Sequence, residues 1–281
     1  MLLAALALIS RVQTPLASNW ELIVLGVAQD AGFPHLGCSK PCCVEKRKGH
    51  PERVSSIGVR NAATGESFLF DATPDVVDQI HHLNGGIKPT GVFLTHAHMG
   101  HYSGLLYFGR ESADWKGVPI YGSRRMGKYL EANDPWKYLV ANKNIELRLV
   151  EPDAALRLAD GLEVTGFLVP HRDEFTDTLG FIIEGPNRSA VFIPDIDRWE
   201  KWDRSIRDLA NKHDLLFLDG TFSSPAEVGG RDIEQIPHPM IPHTREFLKG
   251  TKGKVRFIHL NHTNPAYGSA DVVREGQVFR L

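Results

Sequence analysis

Long apolar runs are missing from this chain of 281 residues. The one candidate, MLLAALALIS at the N-terminus, is too short to span a bilayer, which takes about 20 apolar residues in a helix. A charge excess is missing as well: 32 lysines and arginines stand against 34 aspartates and glutamates, a net charge of −2. Charge therefore offers nothing to track a phosphate backbone, and no nucleic-acid partner is indicated. Solenoid-period repeats and low-complexity segments are absent. Cysteine is scarce, with three residues at Cys38, Cys42 and Cys43. An odd, tightly spaced set is a poor disulfide framework, and neighbouring thiols bond each other only in unfavourable geometry. Such a set suits a metal clip better, most simply a structural zinc site that wants a fourth ligand.

What is present is the composition of a globular protein with a sizeable core, 42% hydrophobic and 23% charged. Residues 1–18 read as an export signal, with a short apolar region followed by TPLAS as a small-residue cleavage zone. The mature chain would then begin near Asn19, in the periplasm or outside the cell. The basic start of such a signal is lacking, and a plain N-terminal extension on a cytoplasmic protein is the alternative.

Beyond it, β-rich runs alternate with helical patterns. ELIVLGV (21–27) predicts a buried strand, and SSIGVRN with ESFLFDA predicts a hairpin turned by ATGE. In DATPDVVDQIHHL, Thr73 is placed as an N-cap and Pro74 as the first helical residue. GVFLTH and GVPIYGS predict strands, GLLYFGRESA and RRMGKYLEAN helices. The second half predicts strands at IELRLVE, GLEVTGFLV, TLGFIIEG, SAVFIPD, HDLLFLDG and KVRFIHLNH, with helices at RSIRDLANKH and HTREFLKGT. No linker divides the chain, so residues 19–281 read as one α/β domain. Six apolar runs stop at or just before a histidine or aspartate: Asp71, His96, His171, Asp195, Asp219 and His259. Repeated endings of that kind line polar groups along one sheet edge, where α/β folds hold ligands.

The densest of these endings is THAHMGH. His96 and His98 are two apart, so their rings point the same way from extended backbone, and His101 opens the next helix. Neutral imidazoles on one turn suit a divalent metal. The run follows the signature H-x-H-x-D-H except that Gly100 replaces the aspartate. Together with VPHRDEFTDTLGF, VFIPDID and RFIHLNH in that order, it resembles the metallo-β-lactamase fold superfamily. AQDAGFPHLGC, FLDGTF and HLNHTNP resemble more narrowly the coenzyme pyrroloquinoline-quinone biosynthesis protein B group. The cysteine clip is similar to that of the phosphodiesterase of the phosphonate carbon–phosphorus lyase pathway.

The resemblance implies an αββα sandwich with a metal centre at the sheet edge. It implies that His96, His98 and His171 hold a first ion, and that Asp195, preferred over Asp197, bridges to a second ion completed by His101 and His259. Asp71 would support the centre from behind. Glycine at 100 offers no ligand atom, so the second ion is the part placed in doubt. By analogy with the phosphodiesterase, His262 joins Cys38, Cys42 and Cys43 around a structural zinc, with His35 competing for that place. His238 matches a segment that reaches the site mouth, with His243 nearby, and Arg172 is placed to meet an anionic group. His50, His81, His82 and His213 lack such context.

The expected activity is hydrolysis of a phosphodiester, ester or lactam-like bond by a metal-bound hydroxide, with His96, His98, Asp195 and His238 in catalytic roles. Zinc is the expected ion, one or two catalytic and one structural, with Fe2+ or Mn2+ as alternatives at the catalytic centre. An iron-dependent oxygenase of cofactor biosynthesis and a non-catalytic metal-binding protein are the rival readings. The expected partner is a small molecule, anionic if Arg172 meets it.

Overall fold

A computed structural model describes residues 19–230, 232 and 236–281. The export-signal reading of residues 1–18 falls outside the described residues. Two mixed sheets lie face to face. The first contains β1 (Trp20–Gly26), β2 (Ser56–Asn61), β3 (Ser67–Phe70), β4 (Gly91–Phe93), β5 (Val118–Gly122), β6 (Ile145–Leu149) and, on its far side, β13 (Val278–Arg280). Its order is β13-β1-β2-β3-β4-β5-β6. The second contains β7 (Ala155–Ala159), β8 (Leu162–Val169), β9 (Thr178–Glu184), β10 (Ser189–Ile193), β11 (Leu215–Asp219) and β12 (Lys254–Ile258), in the order β12-β11-β10-β9-β8-β7.

Aromatic side chains fill the space between the sheets. Phe70 stacks on Phe93 at 4.9 Å between ring centroids, and both meet Phe181 of the opposite sheet edge-on at 5.5 and 5.4 Å. Burying a phenylalanine completely contributes roughly 1.5–3 kcal/mol, so this seam is a main source of cohesion. Strand burial follows from it: β3 is SFLF with every residue buried, as expected of a strand covered on both faces.

Helices cover the outer faces. α1 (Pro41–Lys48) precedes β2; α2 (Val76–Asn84), α3 (Met99–Tyr102), α4 (Arg124–Ala132) and α5 (Trp136–Ala141) lie on the chain of the first sheet; α6 (Ile206–Lys212) and α7 (Ile241–Phe247) belong to the second. Ile80 and Leu83 of α2 and Leu130 of α4 pack with Leu69, Val92 and Ile120 beneath them. Ile206 and Ala210 of α6 pack with Val191 and Leu216. The layers are those of an αββα sandwich.

Two local expectations are corrected. α2 begins at Val76 rather than at Pro74, because the Thr73 hydroxyl accepts the Asp75 N–H at 3.0 Å and holds a turn ahead of the helix. GLLYFGRESA forms a 3-10 helix over Ser103–Phe108 instead of an α-helix. Gly104 lies so close to the neighbouring backbone that a Cβ there would sit 2.1 Å from Thr73 O. β7, β13, α1 and α5 are elements that periodicity did not indicate; they are short, and α5 has one fully buried residue, Leu139.

Strand direction sets up the site. β3 and β4 are parallel, as are β10, β11 and β12, and β8 runs with β10 because β9 is antiparallel to both. β1 runs with β3 across the antiparallel β2. The C-terminal ends of β1, β3 and β4 in the first sheet, and of β8, β10, β11 and β12 in the second, therefore come out together, and the histidines and aspartates that follow them converge.

Candidate metal centre

The turn from β4 to α3 is extended as far as His98, which has φ −93° and ψ 150°. Extended backbone puts alternate side chains on one side, and His96 Nε2 lies 2.7 Å from His98 Nδ1. His171, two residues past β8, brings a third ring nitrogen, so that one nitrogen from each ring falls within a 4.8 Å group. A second group within the same limit joins His101, Asp195 and His259 with Asp30, from the loop after β1. Asp195 stands between them. Its Oδ2 is 3.0 Å from His101 Nε2, 3.2 Å from His259 Nε2 and 3.6 Å from His96 Nε2; its Oδ1 is 3.8 Å from His171 Nε2.

Most of these rings are pinned from behind. Thr95 Oγ1 contacts His96 Nδ1 at 2.9 Å, and Glu174 Oε2 contacts His98 Nε2 at 2.9 Å. Asp71 Oδ2 contacts His101 Nδ1 at 2.7 Å, and Thr221 Oγ1 contacts His259 Nδ1 at 3.0 Å. Asp71 is itself fixed by accepting the Thr95 N–H at 2.8 Å. Each such contact leaves the other nitrogen of the ring facing the centre, which is how metal-binding imidazoles are oriented. His259 reaches inward from a left-handed backbone, φ 64°, as does Asp71 at φ 66°.

The electrostatics suit cations. Burial, with the charge of His101 adding to it, holds His96 well below the usual imidazole range. Burial likewise brings His171 down to about 4. Both are neutral donors at neutral pH. Burial works against ionising Asp195, yet His259, His171 and the hydrogen bond from His101 hold its carboxyl well below the usual range. Asp195 Oδ1 is nevertheless buried with no hydrogen-bond partner among the described residues. A buried carboxylate oxygen that accepts no hydrogen bond, with only the His238 and His171 rings beside it at 3.4 and 3.8 Å, is costly, and a divalent ion would satisfy it. Neutral imidazoles with carboxylates are the donor set of zinc and comparable divalent metals.

His238 lies against the same centre, with Nδ1 2.8 Å from Asp219 Oδ2 and 3.4 Å from Asp195 Oδ1. Burial alone would lower it, but the Asp219 carboxylate beside it pushes it up to about 9. Arg172 holds its guanidinium 3.3 Å from His98 Nε2 at the exposed rim. Asp197 is turned away, accepting the Arg198 N–H and pairing with Lys201 at 2.8 Å. His243 pairs with Glu200 at 3.0 Å and stays out of the centre. Asp30, Glu174 and Thr221 are members or supports of the site that motif reading did not pick out, and Asp219, marked only as a strand ending, supports His238.

The cysteines form a separate cluster. Cys38, Cys43 and His262 fall within a 4.8 Å group. Cys42 is not brought into it. Successive helical residues point about 100° apart, and on α1 it is Cys43 that turns fully inward while Cys42 stays half-buried. His35 also lies outside the group: its Nδ1 contacts Leu36 O at 2.8 Å, and its ring packs on His262 at 4.5 Å. Burial pushes the Cys43 thiol up to about 11, while the Lys40 backbone N–H lowers Cys38.

With this geometry in view, the likenesses to known proteins are informative. The chain is 27% identical over 284 residues to the coenzyme PQQ synthesis protein B of Ruegeria pomeroyi, covering 89% of this chain and 93% of that one. It is 28% identical over 279 residues to the protein of that name from Methylobacillus flagellatus, covering 86% and 90%. In fold it resembles zinc-bound PqqB from Methylobacterium extorquens, with a TM-score of 0.78, 21% identity and coverage of 93% and 100%. It also resembles a diphosphatase of the PhnP family, with a TM-score of 0.70, 23% identity and coverage of 93% and 97%. The model of the β-lactamase superfamily domain matches residues 66–261, the span that carries strands β3 to β12 and every histidine of the centre, and the chain belongs to that superfamily.

Proposed function

We propose that the protein is a metal-dependent hydrolase whose preferred substrate is a small anionic phosphodiester. The observation that carries this reading is the group of His96, His98 and His171 facing a buried Asp195 whose Oδ1 has no hydrogen-bond partner among the described residues. A divalent metal bound there would acidify a water and polarise the electrophilic oxygen of the substrate. His96, His98 and His171 would hold it, and Asp195 would extend the site toward His101 and His259. Zinc suits this set best, with manganese and iron as alternatives.

The other residues have roles of their own. His238 is charged at neutral pH, so it holds a proton where a leaving oxygen would need one, and Asp219 keeps it there. Arg172 stands at the rim and offers a planar donor pair to a phosphoryl oxygen. The fold likeness to a PhnP-family diphosphatase favours phosphorus over carbonyl substrates. The test is turnover of a chromogenic phosphodiester by metal-loaded protein and its His96→Ala variant. The reading fails if the variant keeps both its metal and its rate.

A second reading follows from the relatives named for coenzyme PQQ synthesis. His101 and His259 with a carboxylate form a two-histidine, one-carboxylate set of the kind used by non-haem iron oxygenases. Protein purified without oxygen separates the two. Iron with oxygen uptake supports the oxygenase, while zinc or manganese with anaerobic phosphodiester cleavage supports the hydrolase.

A further inference from the structure

The motif turn lacks a carboxylate at position 100, and the space beside Gly100 is filled by a carboxylate from elsewhere. A Cβ on Gly100 would lie 2.5 Å from Asp30 Oδ1, 2.6 Å from Asp30 Cα and 2.9 Å from Asp30 Cβ. Real Cβ atoms do not approach that closely, so no side chain is accommodated at 100 while Asp30 holds its place. Gly100 is required for clearance and not for backbone freedom, since it sits in the ordinary helical turn of α3.

Asp30 is delivered by a built structure. Past the end of β1, Ala28 bridges Val54 on one side and Leu260 on the other, and the Gln29 N–H donates to Leu260 O at 2.9 Å. The Gly32 N–H then returns to Gln29 O at 2.7 Å, closing a turn with Gly32 at φ 70°. This turn aims Asp30 Oδ1 between two rings, 3.1 Å from His101 Nε2 and 3.2 Å from His259 Nε2. Those are the two nitrogens left facing the centre by Asp71 and Thr221. The neighbouring Asp195 Oδ1, buried without a hydrogen-bond partner among the described residues, points to an ion in the same space.

We propose that Asp30 supplies, from the loop after β1, the metal-binding carboxylate that Gly100 omits. The second site then consists of His101, His259, Asp195 and Asp30, and the centre holds two ions. This rests on the metal-binding part of the proposed function and not on the choice of substrate. The alternative is that Asp30 serves only as a salt-bridge partner of protonated His101.

Manganese(II) is the probe, because carboxylate and imidazole donors accept it while cysteine thiolates select softer ions. The full chain, stripped with chelator, is titrated with Mn2+ and followed by elemental analysis and electron paramagnetic resonance. The wild-type protein is expected to take two ions with the signal of a spin-coupled pair. Asp30→Asn keeps the side-chain volume and is expected to bind one ion, uncoupled, or the second at least about tenfold more weakly. Gly100→Ala is expected to show the same loss although every ligand remains, because the added methyl displaces Asp30. Circular dichroism confirms that each variant is folded, and Asp30→Ala serves as a second variant should Asn retain some affinity. Two coupled ions bound at wild-type affinity in both Asp30 variants would overturn the proposal, as would a wild-type chain that takes one uncoupled ion. None of these readouts needs turnover, so a coupled pair in a protein that cleaves no phosphodiester would count against the hydrolase alone.

Discussion

His259 and His262 stand three residues apart on the loop after β12, yet they face two clusters of different construction. Around His259 the centre is pinned from behind, with ring nitrogens held by Thr95, Glu174, Asp71 and Thr221 before any ion arrives. Around His262 there are three donors, and the ring's own Nδ1, like that of His171 alone in the first cluster, is buried without a hydrogen-bond partner among the described residues. The first cluster is organised by the sheets, because its ligands follow strands that end together. The second is organised by a short helix and a loop tethered to each other. A preformed site loses little when its ion leaves, whereas a loosely formed one depends on its ion for its own shape.

The largest effect that would break this contrast is in the histidine centre. His96→Ala removes a buried donor shared by the whole first group and is expected to lower turnover by at least about a thousandfold, on the scale of losing an activated water. A variant retaining a tenth of wild-type turnover would mean that the first group is not where chemistry occurs. Glu174→Ala should act more mildly. It frees the ring of His98 without removing a ligand, and loss of such a support costs about ten- to a hundredfold in metal affinity. Glu174 is half-exposed, so the lower end is expected, read as a weaker dissociation constant for the first ion with the fold unchanged.

How much of this could be seen beforehand depended on how local the signal was. The strands that end in Asp71, Asp195 and His259 are apolar runs of β period, and their polar endings predicted the edge where the residues meet. Asp30 has the same origin: ELIVLGV runs into AQD, a further strand end on that side, but Asp before Ala-Gly also reads as an ordinary turn. Its role depends on Leu260, whose pairing with Ala28 and Gln29 joins segments more than two hundred residues apart. Glu174 meets His98 across 76 positions, beyond any spacing rule. The failure at GLLYFGRESA was of another kind. Its periodicity favours a helix, but close approach of Gly104 to the Thr73 carbonyl tightens the turn.

A pH profile tests the boundary of the centre. His238 carries its proton up to about 9 because Asp219 outweighs the effect of burial. If that proton goes to the leaving group, kcat declines as pH rises through this value. Asp219→Asn should bring the alkaline limb down by about one unit or more, toward the imidazole's ordinary range. The same raised value stabilises the fold fully below about pH 6.5, with the contribution lost as pH rises through about 9. An alkaline limb unmoved in Asp219→Asn would remove His238 from the proton path.

The smallest expected effect is the one that joins the two clusters. Cys43 is fully buried, and the His35 N–H donates to its sulfur at 3.3 Å. The segment it anchors follows the turn that carries Asp30, and the same anchor reaches His262, two residues beyond the Leu260 that pairs with Gln29. Cys43→Ser is expected to lower zinc content by one ion per chain, since a neutral hydroxyl replaces a thiolate donor. It should also weaken the second Mn2+ ion by a few-fold, because Asp30 loses a tether on one side and keeps its backbone pairing on the other. Loss of zinc with no change in manganese affinity would make the clusters independent. Loss of both, with Leu260 and Ala28 still protected from hydrogen exchange, would identify the cysteine site as the outer brace of the carboxylate at Asp30.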